Sequence, residues 1–377
     1  MSANTVKNVL YIGEYYEDYT RNYIFINGLK QNQVSVHEIN LIKMSKSKRI
    51  KVLLSNFKKL KNIDFDVLIF FSIKTSPINF LLARAFAYIK RIPFIHDIFI
   101  SKHLTYYYDR KLSTVKKKIK IKLYYWIYYY VLDFFECHFS NYILLDTFSH
   151  INYFHKKYNI PLRKFRRILV GARDDIYFPL NIKKKNDEKF IVGYWGTFIP
   201  LHGVEYIIKA FELLKNESNI YLSLLGKGLT YETNKELAER LKIKNIEFIP
   251  KMFIASKELN KLPEFIAKFD VGLGIFGIGE KTLLAIPNKI FEGIAMKIPM
   301  INCESPAIRE LFNANENIIL CEPGNPRALA DAILKLKNDH DLLLKIKENA
   351  YKIFDNYCTI DKIGKKLKYF LNNILQI

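Results

Sequence analysis

The stretch Ile286–Ile301 reads I-P-N-K-I-F-E-G-I-A-M-K-I-P-M-I. A proline at a helix start has its backbone dihedral already set. Pro287-Asn288-Lys289 therefore reads as the entry of a helix that carries Glu292 in its first turn or two. A strand-like run, I-P-M-I-N-C, follows at Ile298–Cys303. The same alternation extends outward in both directions. Short β-rich runs occur at Val9–Gly13, Val34–Ile39, Val67–Ser72, Pro93–Asp97, Tyr142–Asp146 and Arg167–Gly171. They recur at Phe190–Gly196, Ile220–Gly226, Ile246–Pro250, Val271–Phe276, Ile298–Cys303 and Ile318–Glu322. Many are continuously apolar, as strands covered on both faces are. Two sets of six strands with helices between them predict two doubly wound α/β domains.

A chain of 377 residues suits two domains better than one core. Half the residues are hydrophobic, which supports a sizeable core and argues against wholesale disorder. The polar, basic stretch Asn181–Lys189 is the expected linker, giving domains over 1–183 and 184–358. Val204, Ile207, Ile208, Phe211 and Leu214 recur at helical spacing, as do Leu329, Ile333 and Leu336 after an Asn325-Pro326 start. A last helix is expected in 359–377. The cysteines at 137, 303, 321 and 358 are scattered without metal-type spacing and read as reduced thiols. The N-terminus has no apolar signal core, and no run reaches the length of about 18 apolar residues that a membrane span needs. A cytoplasmic protein is expected, with the inner face of the plasma membrane as a place of peripheral contact.

The net charge of +22, from 59 Lys and Arg against 37 Asp and Glu, favours an anionic partner. Part of it reflects a general richness in Lys, Ile, Asn and Tyr. The rest clusters. Lys102, Arg110, Lys111, Lys116, Lys117, Lys118, Lys120 and Lys122 face one acid, Asp109, and L-Y-Y-W-I-Y-Y-Y-V-L (Leu123–Leu132) follows at once. This segment is either a tyrosine-rich buried helix or a helix of the membrane interface, where Tyr and Trp sit well and basic residues meet anionic headgroups. No nucleic-acid-binding motif accompanies the charge, so nucleic acid is not the expected partner.

Ligands of open α/β sheets bind beyond the C-terminal ends of the strands. Gly13, His96-Asp97, Gly196 and Gly226-Lys227-Gly228 lie there, although each glycine is also an ordinary turn residue. At the quoted helix start, unpaired N–H groups form an anion site to which Lys289 adds a cation. Glu292 is an acceptor suited to sugar hydroxyls, or more plainly a helix-start glutamate favoured by the macrodipole. Anion plus polyhydroxy ring is what a nucleotide sugar presents.

Five motifs occur in order: Y-W-G-T-F-I-P-L-H-G from Tyr194, L-L-G-K-G from Leu224, N-I-E-F-I-P from Asn245, L-P-E-F-I-A-K-F-D-V-G-L-G-I-F-G from Leu262, and P-N-K-I-F-E-G-I-A-M-K-I-P-M-I from Pro287. Together they resemble the donor-binding domain of glycosyltransferase family 4, a family of retaining enzymes with the GT-B fold. The resemblance covers 189–377 well. It reaches the first half more loosely through Asp18–Leu29, Phe94–Ser101 and Leu144–His150. It implies two Rossmann-like domains facing across a cleft, the first for the acceptor and the second for the nucleotide sugar, with 359–377 crossing back to the first. It implies a hexosyltransferase-type enzyme moving sugar from a nucleotide-sugar co-substrate to a saccharide or lipid-linked acceptor, with retention, in cell-surface glycan or polysaccharide synthesis. Neither a metal nor a further cofactor is expected. The alternative is a non-catalytic partner subunit with the same fold.

By the same resemblance Glu292 contacts the ribose, and Gly196, Thr197, His202, Lys227, Lys281, Asn288 and Lys289 belong to the donor site. His96 matches the family histidine near the reactive end of the donor sugar, with Asp97 after it completing the expected catalytic pair, although a histidine at a strand end is often just a packed polar residue. Gly13, Arg21, Asp109 and Arg110 are candidates for the acceptor side, and Arg21 could equally face phosphate or cover its own helix surface. Asp146-Thr147 is a further acceptor-side candidate. Three positions depart from the family pattern. Leu284 stands where a sugar-binding glutamate is usual, and Thr197 and His202 stand where Arg and Lys commonly face the diphosphate. The leaving dianion needs positive charge, and Lys289 is the residue expected to supply it. His202 can be cationic or neutral near physiological pH. Asp174-Asp175 resembles a metal-binding pair only superficially.

Overall fold

The computed structural model of the chain describes residues 5–72, 77–106, 119–182, 188–251 and 258–376. Two fully parallel sheets of six strands organise it. The first contains β1 (Asn8–Glu14), β2 (Ser35–Asn40), β3 (Val67–Ser72), β4 (Phe94–Asp97), β5 (Tyr142–Leu145) and β6 (Phe165–Arg167), in the order β2-β1-β3-β4-β5-β6. The second contains β7 (Phe190–Trp195), β8 (Ile220–Leu225), β9 (Ile246–Ile249), β10 (Val271–Leu273), β11 (Met300–Cys303) and β12 (Ile319–Cys321), in the order β12-β11-β10-β7-β8-β9. Strand order reverses at β1/β3 in one sheet and at β7/β10 in the other. Such a reversal opens a crevice at the C-terminal strand ends, because the flanking helices leave on opposite faces.

Eleven strands match the runs expected from sequence, to within two residues at the start and three at the end. The exception is β6, expected at Arg167–Gly171. Phe165 pairs with Ile143 and Arg167 with Leu145. The more apolar Ile168–Val170 is buried beyond the end of that strand. Burial there comes from packing, so hydrophobicity misplaced the strand by a few residues.

The chain divides into two compact units. Among the described residues, one runs to Val170 and takes back the stretch Ile360–Ile377, and the other is Gly171–Thr359. The division falls upstream of the polar stretch Asn181–Lys189. Ala172 N–H donates to the Cys358 carbonyl at 3.2 Å, which ties the start of the second unit to its own last helix. In the first unit, Leu10, Ile12, Leu68, Phe70 and Phe94 of the sheet pack with Phe80, Ala83, Phe86 and Ala87 of the helix Pro77–Lys90. In the second, Val204, Ile207, Ile208 and Phe211 of the helix Val204–Leu213 join Leu329, Ile333 and Leu336 of Pro326–Asn338 beneath β7 and β8.

The helix Ile119–Phe139 contains the Leu123–Leu132 segment and is turned inside out. Its acids Asp133 and Glu136 are buried, whereas Tyr124, Tyr125, Trp126, Ile127, Phe134, Phe135 and Phe139 are exposed. Asp133 accepts from the Ser101 hydroxyl at 2.7 Å and from the His103 backbone N–H at 3.1 Å, and Glu136 pairs with Lys102. The buried reading of the segment does not hold: only Leu132 of its ten residues is buried. Among the described residues no helix is long and apolar enough to cross a membrane.

The helix Ile360–Ile374 lies on Thr20–Gln31 with Gly28 and Gly364 back to back. A Cβ on Gly28 would stand 2.6 Å from the Ile360 carbonyl oxygen and 2.8 Å from the Gly364 Cα. Backbone cannot yield as a flexible side chain does. Gly28→Val should destabilise the protein by about 3 kcal/mol or more, measured by urea denaturation. Gly28 sits within a helix, where alanine is the better helix former. A lower midpoint for Gly28→Ala as well would therefore report the close backbone approach alone.

Candidate functional site

The second unit's switch point gathers most of the expected donor residues. β7 ends in Tyr194-Trp195 and turns at Gly196, whose φ of +135° suits glycine. The turns after β7 and β8 lace together through Gly196 N–H to Leu225 O (3.0 Å) and Phe198 N–H to Lys227 O (2.9 Å). A Cβ at Gly226 would overlap the Gly196 carbonyl. Lys227 itself is exposed. The loop after β10 is held by Asn302, whose Oδ1 accepts from Ile275 N–H at 2.8 Å, and by Phe276 N–H donating to His202 O at 3.0 Å.

The quoted helix spans Asn288–Ala295, and all its residues after half-buried Asn288 are buried. Its close fit comes from Gly293, where a side chain would strike Met300. Glu292 is 5% exposed, and Trp195 Nε1–H donates to its Oε2 at 2.6 Å. Burial pushes the Glu292 carboxyl above its ordinary pKa, opposed by the Trp195 hydrogen bond and by Lys289. Lys289, equally buried, has no hydrogen-bond partner for Nζ among the described residues and lies 3.8 Å from the centre of the Tyr194 ring. Burial holds its ammonium well below the ordinary value, with Glu292 acting the other way.

His202 is half-buried, and its Nδ1 contacts the Thr197 carbonyl and, at 2.7 Å, the Tyr194 hydroxyl. Burial, then Lys289, push the imidazole well below its ordinary value, so His202 is neutral at physiological pH. Of the two states open to it from sequence, the neutral one is favoured. Thr197 contributes its carbonyl to this cluster. Leu284 is buried, Lys281 is buried in the helix Glu280–Leu284, and Glu280 is exposed. Arg173 binds Asp175 at 2.7 Å, which accounts for one member of the Asp174-Asp175 pair.

In the first unit, His96 and Asp97 are neighbours on β4 and so point to opposite faces of the sheet. His96 is wholly buried beside the Phe70 and Phe80 rings, at 5.6 and 5.2 Å, and neither ring nitrogen has a hydrogen-bond partner among the described residues. Burial and then Lys102 push it well below its ordinary pKa. Asp97 is also wholly buried, accepts from Arg21 Nε–H at 2.9 Å and lies 2.8 Å from Nη2 as an ion pair. Arg21 Nη1–H donates to Ile168 O at 3.0 Å, and its guanidinium lies over Phe25. Burial pushes the Asp97 carboxyl up, against the pull of Arg21. The two expected catalytic side chains therefore do not meet, and Asp97 is joined to Arg21. Asp146 accepts from His150 Nδ1 at 2.6 Å, and Thr147 caps the helix Phe148–Tyr158. Gly13 lies within β1, which continues to Glu14, and a Cβ there would stand 2.5 Å from the Phe71 carbonyl oxygen. Asp109 and Arg110 lie outside the described residues.

Three aromatic residues of the second unit's site had no role in the sequence reading. Trp195 orients Glu292, Tyr194 underlies Lys289, and buried Tyr177 senses the Glu292 charge. Tyr194-Trp195 was visible as two polar-tipped aromatics at a strand's C-terminal end. Tyr177 lies distant in sequence and carried no signal.

Removing one partner of a buried ion pair leaves an uncompensated charge, which costs about 3–5 kcal/mol. Arg21→Met alone should destabilise by that amount. The double substitution Arg21→Met/Asp97→Leu should recover most of it, measured by denaturant titration. Retained activity in a stable double variant would assign the pair to structure alone.

Residues 189–339 match the family model for glycosyl transferases group 1. An uncharacterized glycosyltransferase of Haemophilus influenzae is 25% identical over 212 residues, covering 55% of this chain and 56% of that protein. The capsular polysaccharide biosynthesis glycosyltransferase CapM of Staphylococcus aureus is 24% identical over 195 residues, covering 50% and 48%. The chain spans about half the length of the curated relatives it matches. Among solved structures, sucrose-phosphate synthase from Thermosynechococcus elongatus superposes with a TM-score of 0.72 at 11% identity, covering 98% of this chain and 99% of that one. Anabaena HepE in complex with UDP-glucose gives a TM-score of 0.66 at 13% identity, covering 97% and 99%. At such identities the structural likeness establishes the fold, which is GT-B.

Proposed function

Residues 189–339 belong to the glycosyl transferases group 1 family, and on that premise we propose that the chain moves a hexosyl group from a nucleotide-sugar donor to a saccharide or lipid-linked acceptor. Retention of anomeric configuration and a place in cell-surface glycan synthesis are part of the proposal. The observation that carries it is Glu292, a buried carboxylate held by Trp195 at the β7/β10 switch point beside the Gly196 turn. A carboxylate in that position accepts from the two hydroxyls of a ribose, and its burial strengthens those hydrogen bonds. The proposed acceptor unit is the first. HepE is known with UDP-glucose, so uridine donors lead the candidates.

In a thermal-shift screen of UDP-, GDP- and ADP-sugars, one class should raise the melting temperature. Saturation at a hundredfold over Kd corresponds to about 2.7 kcal/mol. Glu292→Ala should weaken that donor by about 10- to 100-fold, the loss of a charge-assisted hydrogen bond. No response to any donor would overturn the reading. A catalytically silent partner subunit is the second reading, favoured by Thr197 and the neutral His202. Sugar transfer or donor hydrolysis by the purified chain decides between them.

The inside-out helix supports peripheral contact with an anionic membrane as the place where a lipid-linked acceptor is met. Its exposed Tyr and Trp side chains are those that settle at the headgroup level. Tyr88 and Ile89 of the helix Pro77–Lys90, each at least 75% exposed, are further large apolar side chains on the surface of the same unit. The chain should co-sediment with vesicles containing anionic lipid, and Tyr124→Glu/Ile127→Glu should abolish this without lowering the melting temperature. Binding that survives this change and removal of Lys116–Lys118 and Lys120 would exclude the segment as the contact.

A further inference from the structure

Gly196 marks a point on which basic side chains converge. A Cβ there would lie 3.4 Å from Lys289 Nζ and 3.7 Å from His202 Cε1. Lys281 is near enough for its charge to act on His202. Against them, among the described residues, stands one acid within electrostatic reach of Lys289, Glu292 on the next turn of the same helix. The two positions that would carry cations in the motif hold Thr197 and His202. Thr197 offers its carbonyl inward, and His202 is fixed to that carbonyl through Nδ1. Neither places positive charge over the Gly196 turn.

Lys289 is the residue that can. Its amine is buried, lacks a hydrogen-bond partner among the described residues, and rests on the Tyr194 ring beside the glycine gap. Burying an amine without such partners is unfavourable, and uncompensated groups of this kind cluster at functional sites. A methionine of similar length would pack there at lower cost. The helix start behind Lys289 also presents N–H groups with no intrahelical acceptor.

We propose that Lys289 is the diphosphate-binding residue of this chain, supplying from the helix Asn288–Ala295 the charge that Thr197 and His202 do not. On this view the diphosphate offsets the burial that disfavours the charged form of Lys289, and the protonated amine leaves the Tyr194 face and reaches past the unsubstituted Cα of Gly196 to the phosphate oxygens. Glu292 holds the ribose at the next turn. The inference rests on the donor reading above and assigns its anion site.

Binding of UDP, GDP and ADP, and of uridine, guanosine and adenosine, separates the two. Isothermal titration suits the diphosphates, and NMR titration suits the weaker nucleosides. Lys289→Met should weaken the preferred nucleoside diphosphate by about 10- to 100-fold and leave the matching nucleoside within about twofold. It should also raise the melting temperature of the unliganded protein, as removal of a functional strain does. His202→Lys placed in the Lys289→Met background should restore part of the diphosphate affinity. Equal loss of nucleoside and diphosphate would make Lys289 a packing residue and overturn the inference, as would unchanged diphosphate binding. If the wild-type protein binds none of the three diphosphates, the donor reading itself fails and the inference with it.

Discussion

The hydrogen bond from Trp195 to Glu292 is the contact on which the second unit's crevice depends. It joins the end of β7 to the first turns of the helix Asn288–Ala295. A buried carboxylate without a donor is expelled or protonated; the indole N–H lets this one remain inside. Trp195 is in turn held beneath, stacked near Phe269 and close to the face of Gly272. Glu292 tempers the cost of burying Lys289, and Lys289 covers Tyr194, whose hydroxyl meets His202 and the Thr197 carbonyl. Among the described residues this set of polar groups is connected throughout, with one unresolved demand, a partner for the Lys289 amine.

The first unit distributes its charge differently. Arg21–Asp97, Arg49–Glu14, Lys102–Glu136 and His150–Asp146 are each closed within the interior. Several large apolar groups lie instead outside, all round the helix Ile119–Phe139 at residues 123–127 and farther on at Val131, Phe134, Phe135 and Phe139. The two facts are linked. With Asp133 and Glu136 drawn inward to Ser101 and Lys102, the opposite side of the helix, which carries Tyr124, Ile127, Val131, Phe134 and Phe135, is turned outward.

Most of the architecture was legible because parallel strands buried on both faces are written as unbroken apolar runs. Where apolar residues are buried without being paired, as at Ile168–Val170, the same rule misplaced β6. It could not orient Leu123–Leu132 either, since tyrosine is at home both in a core and at an interface. At the site, Gly196, Glu292 and Lys289 were readable from the motif order. Their partners were not. Trp195 lies 97 residues from Glu292 along the chain, and Tyr177 farther still; interactions over such separations leave no local pattern.

By itself the sequence determined the two sheets, the ends at which ligands would gather, and the residue types available there, because these follow from short-range periodicity and from motif order. Only the tertiary structure decided the states of those residues. It made His202 neutral, closed Asp97 on Arg21, turned His96 into the interior, and left Lys289 buried beside Gly196 without a hydrogen-bond partner among the described residues. Charge state and availability depend on desolvation and on neighbours brought from elsewhere in the chain, and those exist only once the chain has folded.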